Sequence, residues 1–389
     1  MTQPLRSARR AFVVVLDAVG AGALPDAADY GDAGADTLVH LAEAVGGLRV
    51  PTLQRLGLGN LRPILGVEPA ASPVLHGRVG ALGPGKDSTT GHWELMGVVP
   101  TKALPTYPEG FPPDVVAALE QATGRRFCVN RPANGMTVLE EFGEHHLATG
   151  ELILYTSADS VLQLAAHDEV LAQPDLVEVC RAAREVMHGR HAVGRVIARP
   201  FTGRPGAFER TQGRKDLSLP PPARSYLQEI QAAGLPVHAV GKVSDLFAGV
   251  GVSERHPGAT NAVAIEQTTA LLTDLDAGLV FANLVETDQL YGHRKDVEGF
   301  HRALRVIDGA VARWLGLLRE GDLLVLTADH GCDPAAPHSD HTREHALLLA
   351  TFHGHGGRRH EGPLADVGAS AYAWLTGREP ALAAGRPFL

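Results

Sequence analysis

Cysteine is scarce. Only Cys128, Cys180 and Cys332 occur in 389 residues, and they are scattered without metal-ligand spacing. An odd, sparse set of this kind points to a reducing compartment, the cytoplasm. Positive charge is short as well: 35 Lys and Arg against 44 Asp and Glu leave a net charge of −9. That balance argues against a nucleic-acid partner, although a local basic pocket for an anion stays open. Long apolar runs are missing, and nothing approaches the roughly 20 residues of a membrane span. Arg6–Arg10 followed by Phe12–Leu16 imitates a secretory leader, but Asp17 cuts the apolar run too short for one. Internal repeats and low-complexity tracts are also lacking. The expectation is a cytoplasmic protein with neither membrane nor nucleic acid as partner.

What is present has the make-up of a globular enzyme. The apolar fraction is 44% and the charged fraction 20%, values usual for a soluble globular protein. The length favours two domains. Short apolar runs at Phe12–Leu16, Val237–Val240, Leu279–Val285, Leu323–Thr327 and Leu347–Thr351 read as buried strands. Helical patterns lie between them at Thr37–Val45, Ala223–Ala233, Asn261–Leu272 and Val297–Leu318. Strands alternating with helices predict an α/β fold with a mainly parallel sheet. From about Thr101 to Pro222 the texture changes. Proline clusters bound a stretch with its own strand candidates, Leu152–Thr156 and Arg195–Ala198. We therefore expect a discontinuous core of residues 1–100 and 221–389, with 101–220 as an inserted smaller α/β domain.

The predicted strand ends carry acidic and imidazole side chains. Asp17 follows the first strand. Asp288 and His293 follow the third, and Asp329-His330 the fourth, with His338 and His341 close behind. Ligands of open α/β sheets bind outside the carboxyl ends of strands. A single Asp after a strand is usually a cap or turn residue, and a single His usually a satisfied polar group. Three Asp and at least three His at three strand ends together match the donor set of a dinuclear metal site. Mixed carboxylate and imidazole donors suit Mn²⁺ or Zn²⁺ better than Mg²⁺.

Residues 85–97 hold three adjacent hydroxyls, Ser88, Thr89 and Thr90, between Asp87 and Gly91-His92. A hydroxyl needs a base or a metal ion to become a good nucleophile. Composition alone does not choose among the three. Other motifs compete and fail. Gly80–Lys86 matches the start of a phosphate-binding P-loop, but Asp87 stands where a Ser or Thr is required. Gly20-Ala-Gly22 resembles a dinucleotide loop, but Pro25 takes the third glycine position. His341-Thr-Arg-Glu344-His345 has the spacing of an inverted zinc-protease motif, which needs a helix; Pro334, Pro337, Ser339 and Asp340 predict a loop leading into the apolar run from Ala346.

With these residues assembled, the chain resembles the bacterial phosphopentomutase family of the alkaline phosphatase superfamily. The likeness runs over essentially the whole length. It is carried by Val15–Gly20, Gly85–Glu94, Tyr155–Gln163, Asp288–His293, Thr327–Gly331 and Asp340–Glu344. The Gly-Lys-Asp-(Ser/Thr)-x-x-Gly-His-Trp-Glu stretch is the specific part; Asp-His-Gly marks only the superfamily. The resemblance implies an alkaline-phosphatase-like core and one metal held by Asp17, Asp329 and His330. It implies a second metal held by Asp288, His293 and His341, with Mn²⁺ preferred at both. It also implies that Ser88, where the family more often has Thr, is the phosphorylated nucleophile, and that Thr89 and Thr90 are loop residues. Ser157, Asp159, Arg199, Arg214 and Lys242 are implied at the substrate, the three basic residues gripping the phosphate that does not react. The implied reaction interconverts ribose 1-phosphate and ribose 5-phosphate, and the deoxyribose phosphates, through a sugar bisphosphate that also serves as activator. The inserted domain would act as a cap that keeps water from phosphorylated Ser88. The competing readings are a phosphatase or phosphodiesterase on the same site, a phosphoglycerate mutase relative, which the Trp93-Glu94 pair disfavours, and a non-catalytic metal-binding protein. Protein partners, and roles for His92, His338 and His345, stay open.

Overall fold

The computed structural model describes residues 9–157, 159–352 and 356–389; Arg6, Ser7 and Ala8 of the basic N-terminal stretch lie outside them. The chain divides into two compact units, Met1–Lys102 with Pro221–Leu389, and Ala103–Pro220.

The discontinuous unit is built on a nine-stranded sheet. Five strands run parallel in the order Glu254–His256, Val237–Val240, Gly278–Leu284, Arg10–Leu16 and Asp322–Thr327. Glu344–Phe352 then reverses direction, pairing antiparallel with Asp322–Thr327 and with Leu75–Gly80. Arg359–Pro363 closes the far edge parallel to Leu75–Gly80, and Gly20–Ala23 pairs with the start of Glu344–Phe352. The chain is thus an α/β protein whose core sheet is mainly parallel. Every residue of Arg10–Leu16 is buried, as expected of a central parallel strand covered on both faces. The flanking amphipathic helix Val297–Leu315 buries Phe300, Leu304, Ile307, Val311 and Trp314 along one stripe.

The strands and helices expected from hydrophobic pattern all form, with ends moved by a few residues. Leu347–Thr351 lies inside the antiparallel strand. Strands with little apolar content, such as Leu75–Gly80 and Arg359–Pro363, carry no such pattern. There, close backbone approach does the selecting: a Cβ on Gly77 would lie 1.8 Å from the His360 carbonyl oxygen.

Arg10 opens the central strand yet is only 1% exposed. Its Nε and Nη2 donate to Asp322 Oδ1 and Oδ2 at 2.9 and 2.5 Å, and Nη1 donates to the Leu272 carbonyl at 2.7 Å. Removing one partner of such a pair leaves a buried charge uncompensated. Asp322→Ala is therefore expected to cost about 3–5 kcal/mol, read as a lower urea midpoint at unchanged slope.

The second unit has its own sheet, in the order Phe127–Pro132, Leu152–Thr156, Val161–His167, Arg195–Arg204 and Ala207–Arg210, with Lys215–Ser218 also on Arg195–Arg204. Alternation sorts its side chains. Leu152, Leu154, Leu162, Leu164, Val196 and Ala198 pack against helices Pro113–Thr123 and Gln173–Val186. On the opposite face, Ile153, Tyr155, Ala165 and Phe201 pack with Val138 and Leu139 of helix Gly135–Thr149. No helix among the described residues is long and apolar enough to cross a membrane.

All three cysteines are free thiols. Burial pushes the Cys128 thiol up to about 11 and Cys180 up to about 12, so both stay protonated near neutrality and are poor nucleophiles. Alkylation of the native protein at pH 7 is expected to be much slower than alkylation in denaturant, with mass spectrometry as the readout.

Candidate active site

Three adjacent parallel strands end together, because the register pairs Val14 with both Ala282 and Leu326. Their carboxyl ends deliver Asp17, Asp288 and Asp329 to one place. After Asp17 the chain turns through Ala18, which adopts φ 64. That left-handed conformation is costly for a residue with a Cβ, and such strain gathers at functional sites. Here it directs the Ala18 N–H to Asp329 Oδ1 at 3.3 Å. After the strand Gly278–Leu284 comes a π-helical turn, Thr287–Gly292. Its wide pitch lets the His293 N–H donate to the Asp288 carbonyl at 3.3 Å. Two residues five apart thereby face the same point, which an α-turn would not achieve.

The six strand-end residues form two compact groups. Asp17, Asp329 and His330 are one; Asp288, His293 and His341 are the other. His330 Nε2 is 3.5 Å from Asp17 Oδ1 and 3.4 Å from Asp329 Oδ2. Asp288 Oδ1 is 3.4 Å from His293 Nε2 and 3.3 Å from His341 Nε2. Two donors bound to one cation in tetrahedral geometry at about 2.1 Å lie about 3.4 Å apart, so the spacing fits shared coordination. The outer ring nitrogens are held: His293 Nδ1 meets the Ser339 carbonyl at 2.7 Å and His330 Nδ1 the Gly331 carbonyl at 3.0 Å. A donated Nδ1–H fixes the tautomer that presents Nε2 inward.

Electrostatics carry the same message. Asp17, Asp288 and Asp329 are 0%, 4% and 4% exposed, so three carboxylates share one buried region. Burial and the neighbouring Asp329 push the Asp17 carboxyl up. Burial works the same way on Asp288 and Asp329, but His341 beside the first and His330 and His92 beside the second outweigh it and hold both well below the usual range. Asp17 Oδ1 and Asp288 Oδ1 are buried and accept no normal hydrogen bond among the described residues. Buried acceptors of this kind, ringed by imidazoles, are the donor set that divalent cations satisfy.

Ser88 stands beside this cluster. It begins the helix Ser88–Leu95, and its Oγ lies 3.1 Å from His330 Nε2 at 8% exposure. Asp87 caps the helix: Oδ1 accepts from the Thr89 and Thr90 N–H groups at 2.9 and 3.1 Å, and Oδ2 from the Thr90 hydroxyl at 2.8 Å. Thr89 and Thr90 are thus in the first helical turn and not in a loop, which corrects the expectation drawn from resemblance. The helix escaped pattern reading because all eight of its residues are buried, leaving no polar face to mark a period. Gly91 explains how it packs so closely: a Cβ there would sit 2.5 Å from the Asp329 carbonyl oxygen.

The rest of the motif holds the helix in place. Glu94 accepts from the Leu82 and Gly83 N–H groups at 2.6 and 3.0 Å, and the Trp93 indole donates to the Leu246 carbonyl at 2.9 Å. Lys86 Nζ donates to the buried Asp32 at 3.0 Å, so it is the structural partner of a carboxylate and not a P-loop lysine. His92, fully buried, has Nδ1 2.9 Å from the Ser88 carbonyl and 3.1 Å from Asp329 Oδ2. His338 Nε2 meets Asp32 Oδ1 at 2.9 Å. Glu344 and His345 lie on the strand Glu344–Phe352, which removes the helix an inverted zinc-protease motif requires. Glu344 instead accepts from the Thr37 and Thr342 hydroxyls at 2.7 and 2.6 Å. Sequence reading missed Asn283, whose Nδ2 is 3.0 Å from Asp17 Oδ2 and 3.2 Å from His92 Nε2. A polar residue inside an apolar strand was the available signal.

Lys242 Nζ lies 3.1 Å from Asp17 Oδ2 and 4.0 Å from Asp288 Oδ2. The remaining substrate candidates belong to the inserted unit. Ser157 follows the strand Leu152–Thr156. Arg195 Nη2 donates to Asp159 Oδ2 at 3.3 Å, and Arg199 Nε to Gln163 Oε1 at 3.1 Å. Arg214 forms a two-pronged pair with Asp216, both contacts 2.6 Å. Burial and the nearby Arg214 bring Arg199 down to about 10.

The fold and the paired Asp/His groups define a metalloenzyme, and the Metalloenzyme superfamily matches this sequence over residues 9–376. The chain is 47% identical to a phosphopentomutase of Carboxydothermus hydrogenoformans over 346 residues, 89% of each protein. It is 50% identical to a phosphopentomutase of Anaeromyxobacter sp. strain K over 351 residues, 90% of each. The PH0037 protein of Pyrococcus horikoshii shares the fold, with a TM-score of 0.51 at 13% identity, covering 97% of this chain and 99% of that one. The chain belongs to the phosphopentomutase family, whose members are isomerases of the intramolecular phosphotransferase kind.

Proposed function

We propose that this enzyme interconverts pentose 1-phosphates and pentose 5-phosphates through a phosphorylated Ser88. The observation that carries the reading is the position of Ser88 Oγ, 3.1 Å from His330 Nε2 at the edge of two Asp/His groups. Asp17, Asp329 and His330 would hold one divalent cation and Asp288, His293 and His341 another, with Mn²⁺ suited to the donors; bound there, the pair would neutralise charge on the transferring phosphoryl group.

The residues do the rest. Asp87 and Gly91 fix the helix that presents Ser88. In the first transfer, the phosphorus–Oγ bond of phosphorylated Ser88 breaks as a bond to a hydroxyl oxygen of the sugar phosphate forms. The hydroxyl proton balances on Oγ, giving a sugar bisphosphate and free Ser88. After the bisphosphate reorients, the reverse transfer from its other end restores phosphorylated Ser88. Net, the phosphate changes position and water takes no part. The same bisphosphate, added from outside, would phosphorylate resting Ser88 and so act as activator.

Arg199 and Arg214 are the proposed grip for the non-reacting phosphate, with Ser157 and Asp159 at the sugar and Lys242 as a further cation. The partial burial that lowers the basicity of Arg199 supports this part, since a bound anion would offset the desolvation of its guanidinium. The inserted unit would serve as the cap that excludes water, and the cytoplasm is the proposed location.

Ribose 1-phosphate incubated with the Mn²⁺-loaded enzyme should yield ribose 5-phosphate. Inorganic phosphate as the main product would refute the mutase reading and favour a phosphatase.

A further inference from the structure

The edge of the large sheet carries a third group of ligating side chains, which phosphoryl transfer does not use. Val237–Val240 runs parallel to the edge strand Glu254–His256, with His238 opposite Glu254 and Val240 opposite His256. Residues two apart on a strand share a face, so Glu254 and His256 project together, and the register places His238 beside them.

The three side chains meet. His238 Nδ1 and His256 Nε2 are 3.0 Å apart. Glu254 Oε2 is 3.6 Å from His238 Nδ1, and Oε1 is 3.8 Å from His256 Nε2. Two nitrogens bound to one cation at about 2.1 Å lie about 3 to 3.4 Å apart, depending on the angle between them. The observed pair falls at the short end of that range. His238 is 7% exposed, while the Glu254 side chain is 61% exposed, so the group is anchored inside and open outside.

We propose that His238, Glu254 and His256 form a third divalent-cation site, separate from the phosphoryl-transfer centre, for which Zn²⁺ is the fitting ion. Two imidazoles and one carboxylate are a recognised zinc donor set, and three protein ligands leave the fourth position to water. The strand Glu254–His256 has only three residues and lies at the sheet edge. A cation bridging it to Val237–Val240 would pin that edge, so binding should appear as added stability.

The test uses the full-length, Mn²⁺-saturated enzyme equilibrated with Zn²⁺ and then washed, with zinc counted per chain by elemental mass spectrometry. Wild type should retain one more zinc than His256→Ala, and Zn²⁺ should raise the melting temperature of wild type but not of that variant. Glu254→Gln, which keeps shape at an exposed position, should release the same zinc at a lower chelator concentration. Mutase turnover of both variants in Mn²⁺ should equal wild type, showing that the fold is intact. Equal zinc counts in wild type and His256→Ala, or the same chelator sensitivity in Glu254→Gln, would overturn the proposal; the imidazole pair would then be a hydrogen bond and nothing more.

Discussion

Ser88→Ala is expected to lower pentose phosphate interconversion by more than about 1,000-fold, the scale on which enzymes lose activity when a covalent nucleophile is removed. Its metal content should not change. Ser88 contributes a hydroxyl 3.1 Å from His330 Nε2, while the two proposed donor groups consist of other residues. The helix should survive too, because its cap is Asp87 and not Ser88. Turnover, metal count and mass spectrometry of the peptide containing residue 88 read these separately. Loss of turnover with metals retained and no phosphopeptide is the expected set. Near-normal activity in Ser88→Ala would remove Ser88 from the nucleophile role. Ser88→Thr keeps a hydroxyl at the same helical position, so partial activity and a phosphothreonine peptide are expected of it.

Removing the proposed cations should have the second large effect. Asp17, Asp288 and Asp329 crowd their negative charge into one buried region, relieved within the chain mainly by imidazoles and Lys242. Chelation should therefore abolish turnover and lower the melting temperature. A ligand present at 100 times its dissociation constant stabilises the folded state by about 2.7 kcal/mol per site, so the shift should be several degrees. Mn²⁺ should restore both properties in wild type. Asp288→Ala should not recover turnover, because His293 and His341 lose the carboxylate that completes their group. Full recovery of Asp288→Ala by Mn²⁺ would exclude that group as a required metal site.

Much of this architecture was legible in the chain itself. The buried strands announce themselves as apolar β-branched runs, because a strand covered on both faces needs no alternation. Asp17, Asp288 and Asp329 were conspicuous as a set, because each follows such a run; any one of them alone would read as a cap or turn residue. Elements without an apolar signature stayed hidden. Leu75–Gly80 depends on the close approach at Gly77, and the helix Ser88–Leu95 is buried all round and shows no period. Asn283 was lost within its strand, although a buried amide facing Asp17 and His92 had to be satisfied by something distant in sequence.

What the sequence alone determined is the inventory: which strands form, which acids and histidines stand at their ends, and the Gly-Lys-Asp-Ser stretch that marks the family. These are local properties, written in apolar content and in motif order. Family resemblance implied how that inventory is grouped, and only the tertiary structure decided the geometry by which the groups assemble. Register aligns three strand ends, a π-helical turn brings His293 over Asp288, and Gly91 lets a capped helix set Ser88 beside His330. The reason is physical: Ser88 and Asp17 each lie more than 200 residues from His330, and their distances of 3.1 and 3.5 Å to it arise from sheet pairing and close packing, which no short window of sequence encodes.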